Sequence, residues 1–165
     1  MEFGEYMVLR RAGLMRFATV LTGRTWLAED LVSDVLCRAF ERWDRISRMA
    51  EPNAYVRRMI VNDYLSWHRR LARTSPRAEV EPAVAPLTDG ADERAERDAM
   101  ISRLAGLPRR QRTAVVLRYY VGLSDAEIAA EMGCRVPTVR SQISRALATL
   151  RVDETTNPRT YQETR

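Results

Sequence analysis

Several side chains that suit DNA binding fall on one face of a predicted helix near the end of the chain. They are Thr138, Arg140, Ser141, Ser144 and Arg145. An arginine can donate two hydrogen bonds to guanine, and a serine or threonine hydroxyl can bond a base or a phosphate. Positive charge at Arg118, Arg135 and Arg140 would add phosphate contacts. The pattern predicts a helix that enters the major groove, although a helical bundle with a solvated polar face would share it.

Two helices separated by a tight turn would hold that surface in place. Ser124 and Glu127 have the Ser-x-x-Glu spacing of a capping box, which predicts a helix running from Asp125 to Met132. Gly133 can take a positive φ in the turn, and Pro137 suits the opening of the next helix, which we expect to continue to about Arg151. The inward positions are apolar: Ile128, Ala129, Met132, Val139, Ile143 and Leu147. These features predict a helix-turn-helix.

The charge distribution favours a polyanionic partner. All 27 basic residues are arginine, and the formal net charge is +5. Residues 1–73 carry 13 arginines against 9 acidic residues, and residues 95–151 carry 10 against 5, whereas residues 74–94 carry 2 against 5. Guanidinium groups match phosphate oxygens in geometry, so the two basic blocks are suited to nucleic acid.

The first block has the periodicity of three helices. We expect one from Tyr6 to Leu21, with Leu9 on its apolar face, and a second from Trp26 to Trp43. The apolar stripe of the second is Leu27, Leu31, Val35, Phe40 and Trp43, and its opposite side is charged. A short loop over residues 45–51 is followed by a third helix that begins at Pro52.

The second block is also helical, and the segment before it is not. Helices are predicted from Glu93 to Leu104 and from Arg109 to Tyr120, the latter with Tyr119 near the core. Between residues 74 and 94 the periodicity fails among prolines and acidic residues. The chain is therefore predicted to be all-α, with two small helical domains, 1–73 and 95–152, joined by a flexible acidic linker, 74–94. Residues 153–165 are predicted to be a disordered tail.

Several classes of function are disfavoured. Cys37 and Cys134 lie far apart, so we expect buried, reduced thiols. A structural zinc ion needs about four ligands, and His68 is the only histidine, so we expect no metal and no other cofactor. Nothing resembles a catalytic nucleophile–base pair or a phosphate-binding glycine loop, which argues against an enzyme. No apolar run reaches the roughly 18 residues of a membrane span, and a signal-peptide layout is absent; we expect a cytoplasmic protein without membrane insertion.

Motifs in both blocks resemble those of bacterial sigma factors. Those of the first block are Leu27-Ala28-Glu29-Asp30-Leu31-Val32, Arg38-Ala39-Phe40, Trp43-Asp44 and Pro52-Asn53-Ala54-Tyr55-Val56-Arg57-Arg58. Those of the second are Leu107-Pro108, Gln111-Arg112, Leu117-Arg118-Tyr119-Tyr120, Gly122-Leu123-Ser124, Glu127-Ile128-Ala129 and Pro137-Thr138-Val139-Arg140-Ser141. They occur in the family's order and spacing over about residues 5–151. With two domains and a short link, the chain resembles the extracytoplasmic-function (group IV) subgroup of the sigma-70 family.

The resemblance implies three binding surfaces. The second helix would bind core RNA polymerase through Glu29, Asp30, Leu31, Asp34 and Arg38. The loop after Trp43 and the helix from Pro52 would read the −10 element, with candidate residues Ser47, Arg48, Met49, Asn53, Tyr55, Arg57, Arg58, Asn62 and Arg69. The −35 element would be read by Arg118, Thr138, Arg140, Ser141, Ser144 and Arg145.

The implied function is a sigma factor that binds core RNA polymerase and directs promoter recognition, DNA melting and transcription initiation. The acidic linker would follow the enzyme's RNA path or serve as a simple tether, and an anti-sigma factor is a compatible further partner. Two alternatives remain open. A two-domain helix-turn-helix regulator that binds DNA without polymerase leaves the acidic second helix and the helix from Pro52 unexplained. A helical protein–protein adaptor would show no salt-dependent affinity for DNA.

Overall fold

The computed structural model describes the backbone of residues 1–74 and 91–156, and the side chains of residues 1–66 and 95–151. Over this part the chain is helical without strands, which confirms the all-α prediction. The α-helices are α1 (Phe3–Thr22), α2 (Thr25–Glu41), α3 (Trp43–Ile46), α4 (Pro52–Thr74), α5 (Ala91–Ala105), α6 (Arg109–Val115), α7 (Asp125–Met132) and α8 (Val136–Thr156). A π-helical segment, Val116–Val121, continues α6.

The predicted linker and tail fall largely outside the described residues. Thr74 belongs to α4, and the predicted linker's last four residues, 91–94, belong to α5. Likewise α8 continues to Thr156, past the predicted end of the second domain. Residues 1–74 are called the first half below, and residues 91–156 the second half.

In the first half, α1, α2 and α4 pack around an apolar core that an aromatic group closes at one end. The ring centroids of Tyr6 and Trp43 lie 4.6 Å apart, and those of Phe3 and Trp43 lie 5.2 Å apart in an edge-on arrangement. The indole Nε1 of Trp43 donates to the carbonyl oxygen of Met1 at 3.0 Å. Aromatic pairs in such geometries stabilise a fold beyond the area they bury. The start of the chain is thereby held against α3.

Three details of the predicted first half are wrong. Residues 43–46 form α3, so the loop before Pro52 is shorter than expected. Phe40 is 63 % exposed and Leu9 is 66 % exposed, although both were placed on apolar core faces. Each of these helices carries more apolar positions than the roughly one-third of its circumference that neighbouring helices cover. Cys37 is also exposed rather than buried, while Cys134 is half-buried.

In the second half, α7 and α8 form the predicted helix-turn-helix. The Ser124 hydroxyl accepts from the Glu127 backbone N–H at 3.3 Å, and the Glu127 carboxylate accepts from the Ser124 backbone N–H at 2.8 Å. This is the reciprocal capping box predicted from the sequence. Gly133 ends α7 with a φ of 61°, a left-handed conformation that favours glycine. Ile128 and Val139 are fully buried, so they lock the two helices together.

A π-helical segment replaces the predicted end of the α6 helix. A π-helix bonds residue i to residue i+5, so its side chains advance by a smaller angle than in an α-helix. Tyr119, predicted near the core, is therefore turned outward and is 64 % exposed, with Tyr120 at 49 %. Gly122 ends the segment with a φ of 84°.

The two halves share one continuous hydrophobic core. Buried residues from α1, α2 and α4 form a single cluster with buried residues from α5 through α8. The approach is close at Gly23, since a Cβ atom added there would lie 3.0 Å from the Cβ of Ala105. Gly23 also takes a φ of 72° at the end of α1. The positive φ favours glycine and the close approach leaves little room for a Cβ, so the halves pack tightly as one body.

Candidate polymerase- and DNA-binding surfaces

The outward face of α2 presents an acidic surface. Glu29, Asp30 and Asp34 are all exposed. Leu31 was expected both on the apolar stripe of this helix and among the polymerase-binding residues; it is 2 % exposed and packs into the core under this surface, as the stripe predicts. Arg38 forms an ion pair with Asp63 of α4, and its side chain is 39 % exposed. The acidic surface is therefore defined by three carboxylates, with Arg38 at its edge tying α2 to α4.

The predicted −10 residues divide into exposed and engaged groups. Arg48, Arg58 and Asn62 are exposed, and the last two lie one helical turn apart on α4. Asn53 is engaged, because its Oδ1 accepts from the Tyr6 hydroxyl at 3.2 Å. The rest of the group is partly buried: Ser47, Met49, Tyr55 and Arg57. Arg69 lies on α4, but its side chain is outside the described residues.

Arg57 reaches across to the second half. Its Nη2 donates to the Oε1 of Glu131 at 2.5 Å, and its Nε donates to the same oxygen at 3.2 Å. The two side chains are only 15 % and 10 % exposed. A charge-assisted contact with two donors in such a dry site is strong and directional. In this arrangement Arg57 is occupied by the second half and is not presented to DNA.

Arg112 anchors the same interface from the other side. Its Nη1 donates to the carbonyl oxygens of Leu21 and Thr22 at 3.3 and 3.1 Å, and its Nη2 to those of Ala105, a short contact, and Leu107 at 3.1 Å. The residue is 7 % exposed, and burial lowers the pKa of its guanidinium. Backbone carbonyls at the end of α1 carry partial negative charge, which offsets the burial of the cation.

Tyr64 of α4 completes this part of the interface. The guanidinium carbon of Arg109 lies 4.9 Å from the centre of its ring, and Nη1 of Arg109 donates to its backbone oxygen at 2.9 Å. Burial raises the pKa of the Tyr64 hydroxyl, while the charge of Arg112 acts in the opposite direction. Arg109 and Arg112 of the second half thus bind α4 and the end of α1.

The predicted recognition helix α8 carries an exposed polar face beside a carboxylate. Arg140, Ser144 and Arg145 are exposed, and Thr138 and Ser141 are half-buried. Arg140 donates from Nε to Oδ2 of Asp125 at 3.0 Å. Arg118 of the π-helical segment forms an ion pair with Oδ1 of the same carboxylate. The structure therefore brings the predicted −35 residues Arg118 and Arg140 together on one acidic side chain.

Three residues that organise these surfaces carried no predicted role. Asp125 and Glu131 each face an arginine proposed for DNA contact, and Arg112 joins the halves. The sequence offered only a weak signal for Glu131, an acidic residue at a helical position next to the buried Met132. Arg112 belongs to the quoted Gln111-Arg112 motif, but that motif predicted no partner for it, and an arginine near the start of a helix is usually a surface residue.

Within the described part of the chain, no group of three or more metal-ligating side chains could hold an ion. The same residues include no helix that is long and apolar enough to cross a membrane.

Hydrogen bonding to Ser124 lowers the pKa of Glu127, so the capping carboxylate is held in its charged form.

Comparison with known proteins agrees with both halves of this arrangement. The family model for sigma-70 region 2 matches residues 8–74, and that for sigma-70 region 4 matches residues 97–150. The RNA polymerase sigma-E factor of Streptomyces coelicolor is 34 % identical over 151 residues, which are 92 % of this chain and 85 % of that protein. The ECF RNA polymerase sigma factor SigL of Mycobacterium tuberculosis is 29 % identical over 86 % of this chain and 82 % of that protein.

A solved structure shows the same fold. The sigma factor RpoE of Bartonella quintana, in complex with the anti-sigma factor NepR, superposes with a TM-score of 0.73 at 27 % identity, covering 90 % of this chain and 93 % of that one. Region 2 corresponds to the half that carries the acidic α2 surface, and region 4 to the half that carries the helix-turn-helix. The chain belongs to the sigma-70 family of RNA polymerase sigma factors, in its extracytoplasmic-function subgroup.

Proposed function

We propose that this chain binds core RNA polymerase through the acidic surface of α2 and directs the enzyme to promoters through α4 and α8. The observation that carries the proposal is the division of charge within one chain. Glu29, Asp30 and Asp34 stand exposed on the region 2 half, while an arginine-bearing helix-turn-helix stands on the region 4 half. A regulator that binds DNA alone would leave the acidic surface without an assigned partner.

In the proposed complex, α8 enters the major groove at the −35 element. Arg140, Ser141, Ser144 and Arg145 lie on one face of α8, where a recognition helix carries its base contacts. Arg48, Arg58 and Asn62 are available to the −10 element without rearrangement, since they are exposed. Arg57 joins them only after it leaves Glu131. The polymerase performs the chemistry, and the chain supplies recognition in the cytoplasm, where the polymerase works.

Promoter binding requires the two halves to separate. The −35 and −10 promoter elements are about 25 base pairs apart, which corresponds to roughly 85 Å at about 3.4 Å per base pair. A compact chain of this length has a radius of gyration of about 15 Å and hence a diameter of roughly 40 Å. The structure described above, in which the two halves pack together, is called the closed structure. It cannot contact both promoter elements at once. The Arg57–Glu131 and Arg112 contacts must therefore be exchanged for contacts with polymerase and DNA.

The closed structure also suits restraint by an anti-sigma factor. The similar sigma factor RpoE of Bartonella quintana was solved in complex with one, NepR. A protein that stabilises the closed state would keep Arg57 away from DNA, and would oppose polymerase through the same equilibrium.

Co-migration with bacterial core RNA polymerase on size exclusion tests the proposal. We expect a one-to-one complex that is lost in the double variant Asp30→Arg, Asp34→Arg. The matched control is Glu96→Arg, Asp98→Arg, which makes the same charge change on α5 and should leave the complex intact. If the unaltered chain formed no complex yet bound duplex DNA tightly by itself, the chain would instead act as a conventional regulator. Loss of binding in both double variants would show that net charge, not the α2 surface, governs the interaction.

A further inference from the structure

Asp125, on α7, lies between the two segments that carry the candidate −35 residues, the π-helical segment and α8. It is the first residue of α7, where the helix N-terminus favours a negative charge. Its Oδ1 is paired with Arg118 of the π-helical segment and its Oδ2 with Nε of Arg140 on α8. The Asp125 side chain is 25 % exposed, whereas that of Arg140 is 70 % exposed. The carboxylate is thus recessed and the Arg140 guanidinium extends past it.

The contact with Asp125 leaves the two Nη groups of Arg140 free to bond a base. Asp125 is bonded through Nε, which is the inner nitrogen of the guanidinium. Within the described residues, neither Nη group of Arg140 has a hydrogen-bond partner. Since the guanidinium is planar, fixing Nε also fixes the direction of the two Nη groups. These are the donors that can bond O6 and N7 of guanine in the major groove.

Arg145, one turn further along α8, lacks this support. The exposed guanidinium of Arg145 forms no ion pair with any described residue, so it keeps its rotational freedom. A free arginine loses side-chain entropy on binding and can follow a phosphate as readily as a base. Arg118 is the opposite case, because its side chain is only 31 % exposed and it is tied to Asp125.

We propose that Asp125 is a positioning residue that determines sequence specificity, holding Arg140 to read one guanine of the −35 element while holding Arg118 back. This inference rests on the proposed function, since it assumes that α8 enters the groove. Capping of α7 does not account for Asp125, because Ser124 and Glu127 provide the capping box. The carboxylate instead lowers the entropy that Arg140 loses on binding and repels a phosphate that would compete for it.

Selection of bound sequences tests the proposal with the complete holoenzyme. Core polymerase carrying the unaltered chain is first used to select its −35 element from duplexes with a randomised upstream segment. The selection is repeated with Asp125→Ala, with Arg140→Ala, and with both changes. Glu96→Gln is the control, since it removes one exposed acidic charge from the same half. Circular dichroism and co-migration with core polymerase verify that each variant folds and assembles.

We expect Asp125→Ala to reduce the preference for guanine at one position by about tenfold, a loss within the range of a bidentate arginine contact. The same position should lose its preference in Arg140→Ala, and the double variant should lose no more than the single ones. Affinity for unrelated duplex should stay equal or rise, because a negative charge has gone. Asp125→Asn should fall between, since its amide oxygen can still accept from Nε.

Other results would overturn the proposal. An unchanged guanine preference in an assembled Asp125→Ala holoenzyme would show that Asp125 does not position Arg140. A uniform change in affinity for all sequences would reduce Asp125 to a charge effect. Additive losses in the double variant would show that the two residues act separately. Failure of the unaltered chain to join core polymerase would contradict the proposed function itself, which separates the two failures.

Discussion

Removing the charge of Glu131 should favour separation of the two halves. The variant Glu131→Gln keeps the size of the side chain but leaves Arg57 without its counter-ion at the boundary between the halves. Breaking a fully buried ion pair costs about 3–5 kcal/mol, and an exposed pair is worth about 0–1 kcal/mol. With both side chains 10–15 % exposed, an intermediate cost of about 2 kcal/mol is appropriate. That corresponds to a shift of roughly 30-fold in the closing equilibrium.

The chain provides its own probes for this shift. Its two cysteines lie one in each half, with Cys37 exposed on α2 and Cys134 half-buried in the turn between α7 and α8. Donor and acceptor dyes on these thiols report the separation of the halves by energy transfer. We expect lower transfer efficiency in Glu131→Gln and tighter apparent binding to core polymerase, because less of the free energy of binding is spent on opening.

Asp63→Asn is the matched control. It breaks an ion pair with Arg38 that lies wholly within the first half, so it should lower stability without separating the halves. The reasoning would be refuted if Glu131→Gln left both energy transfer and polymerase affinity unchanged at low salt. Equal opening in both variants would also refute it, since general loss of stability would then be the cause.

Two further predictions concern single groups. Gly23→Ala should lower the thermal midpoint by several degrees, because left-handed backbone costs about 1–2 kcal/mol and the new Cβ meets Ala105 at 3.0 Å. Gly122→Ala has the same kind of positive φ with no atom within 4 Å of the added Cβ, so a midpoint falling as far would exclude the Ala105 contact as a cause. Burial raises the pKa of Tyr6 to about 12, because the folded state favours the neutral hydroxyl. The contribution of Tyr6 to the free energy of unfolding should therefore be complete below about pH 10 and should disappear as the pH rises to about 12. Urea unfolding across that range should show a fall in unfolding free energy that Tyr6→Phe diminishes and Tyr119→Phe, at an exposed site, does not; equal diminution would contradict it.

Local rules of sequence predicted the elements of this fold well. The Ser124–Glu127 box, Gly133 and Pro52 each act within one turn of backbone, and each marks a boundary that the structure contains. Helical periodicity also identified the buried side of α2 apart from Phe40. These features depend on neighbours a few residues away, which the sequence presents directly.

Predictions failed where long-range packing or an unusual backbone intervened. Tyr119 points outward because the π-helical segment alters the phase of its helix, and no residue type marks such a segment in advance. The ion pair of Arg57 with Glu131 spans 74 residues of sequence, and Arg112 reaches carbonyls about 90 residues away. Charge and periodicity cannot specify such pairs, so the division between free and engaged arginines needed the structure.

The core shared by the two halves limits how far they can be exchanged between relatives. A chimera with the first half of one sigma factor and the second half of another would inherit both binding surfaces, but its halves would not fit along the boundary between them, called the seam here. At that seam Gly23 must face a residue as small as Ala105, and Arg112 must find the carbonyl oxygens that end α1. In evolutionary terms, the exposed face of α8 that we propose for promoter recognition lies away from these contacts, whereas the contacts themselves tie the inheritance of one half to that of the other.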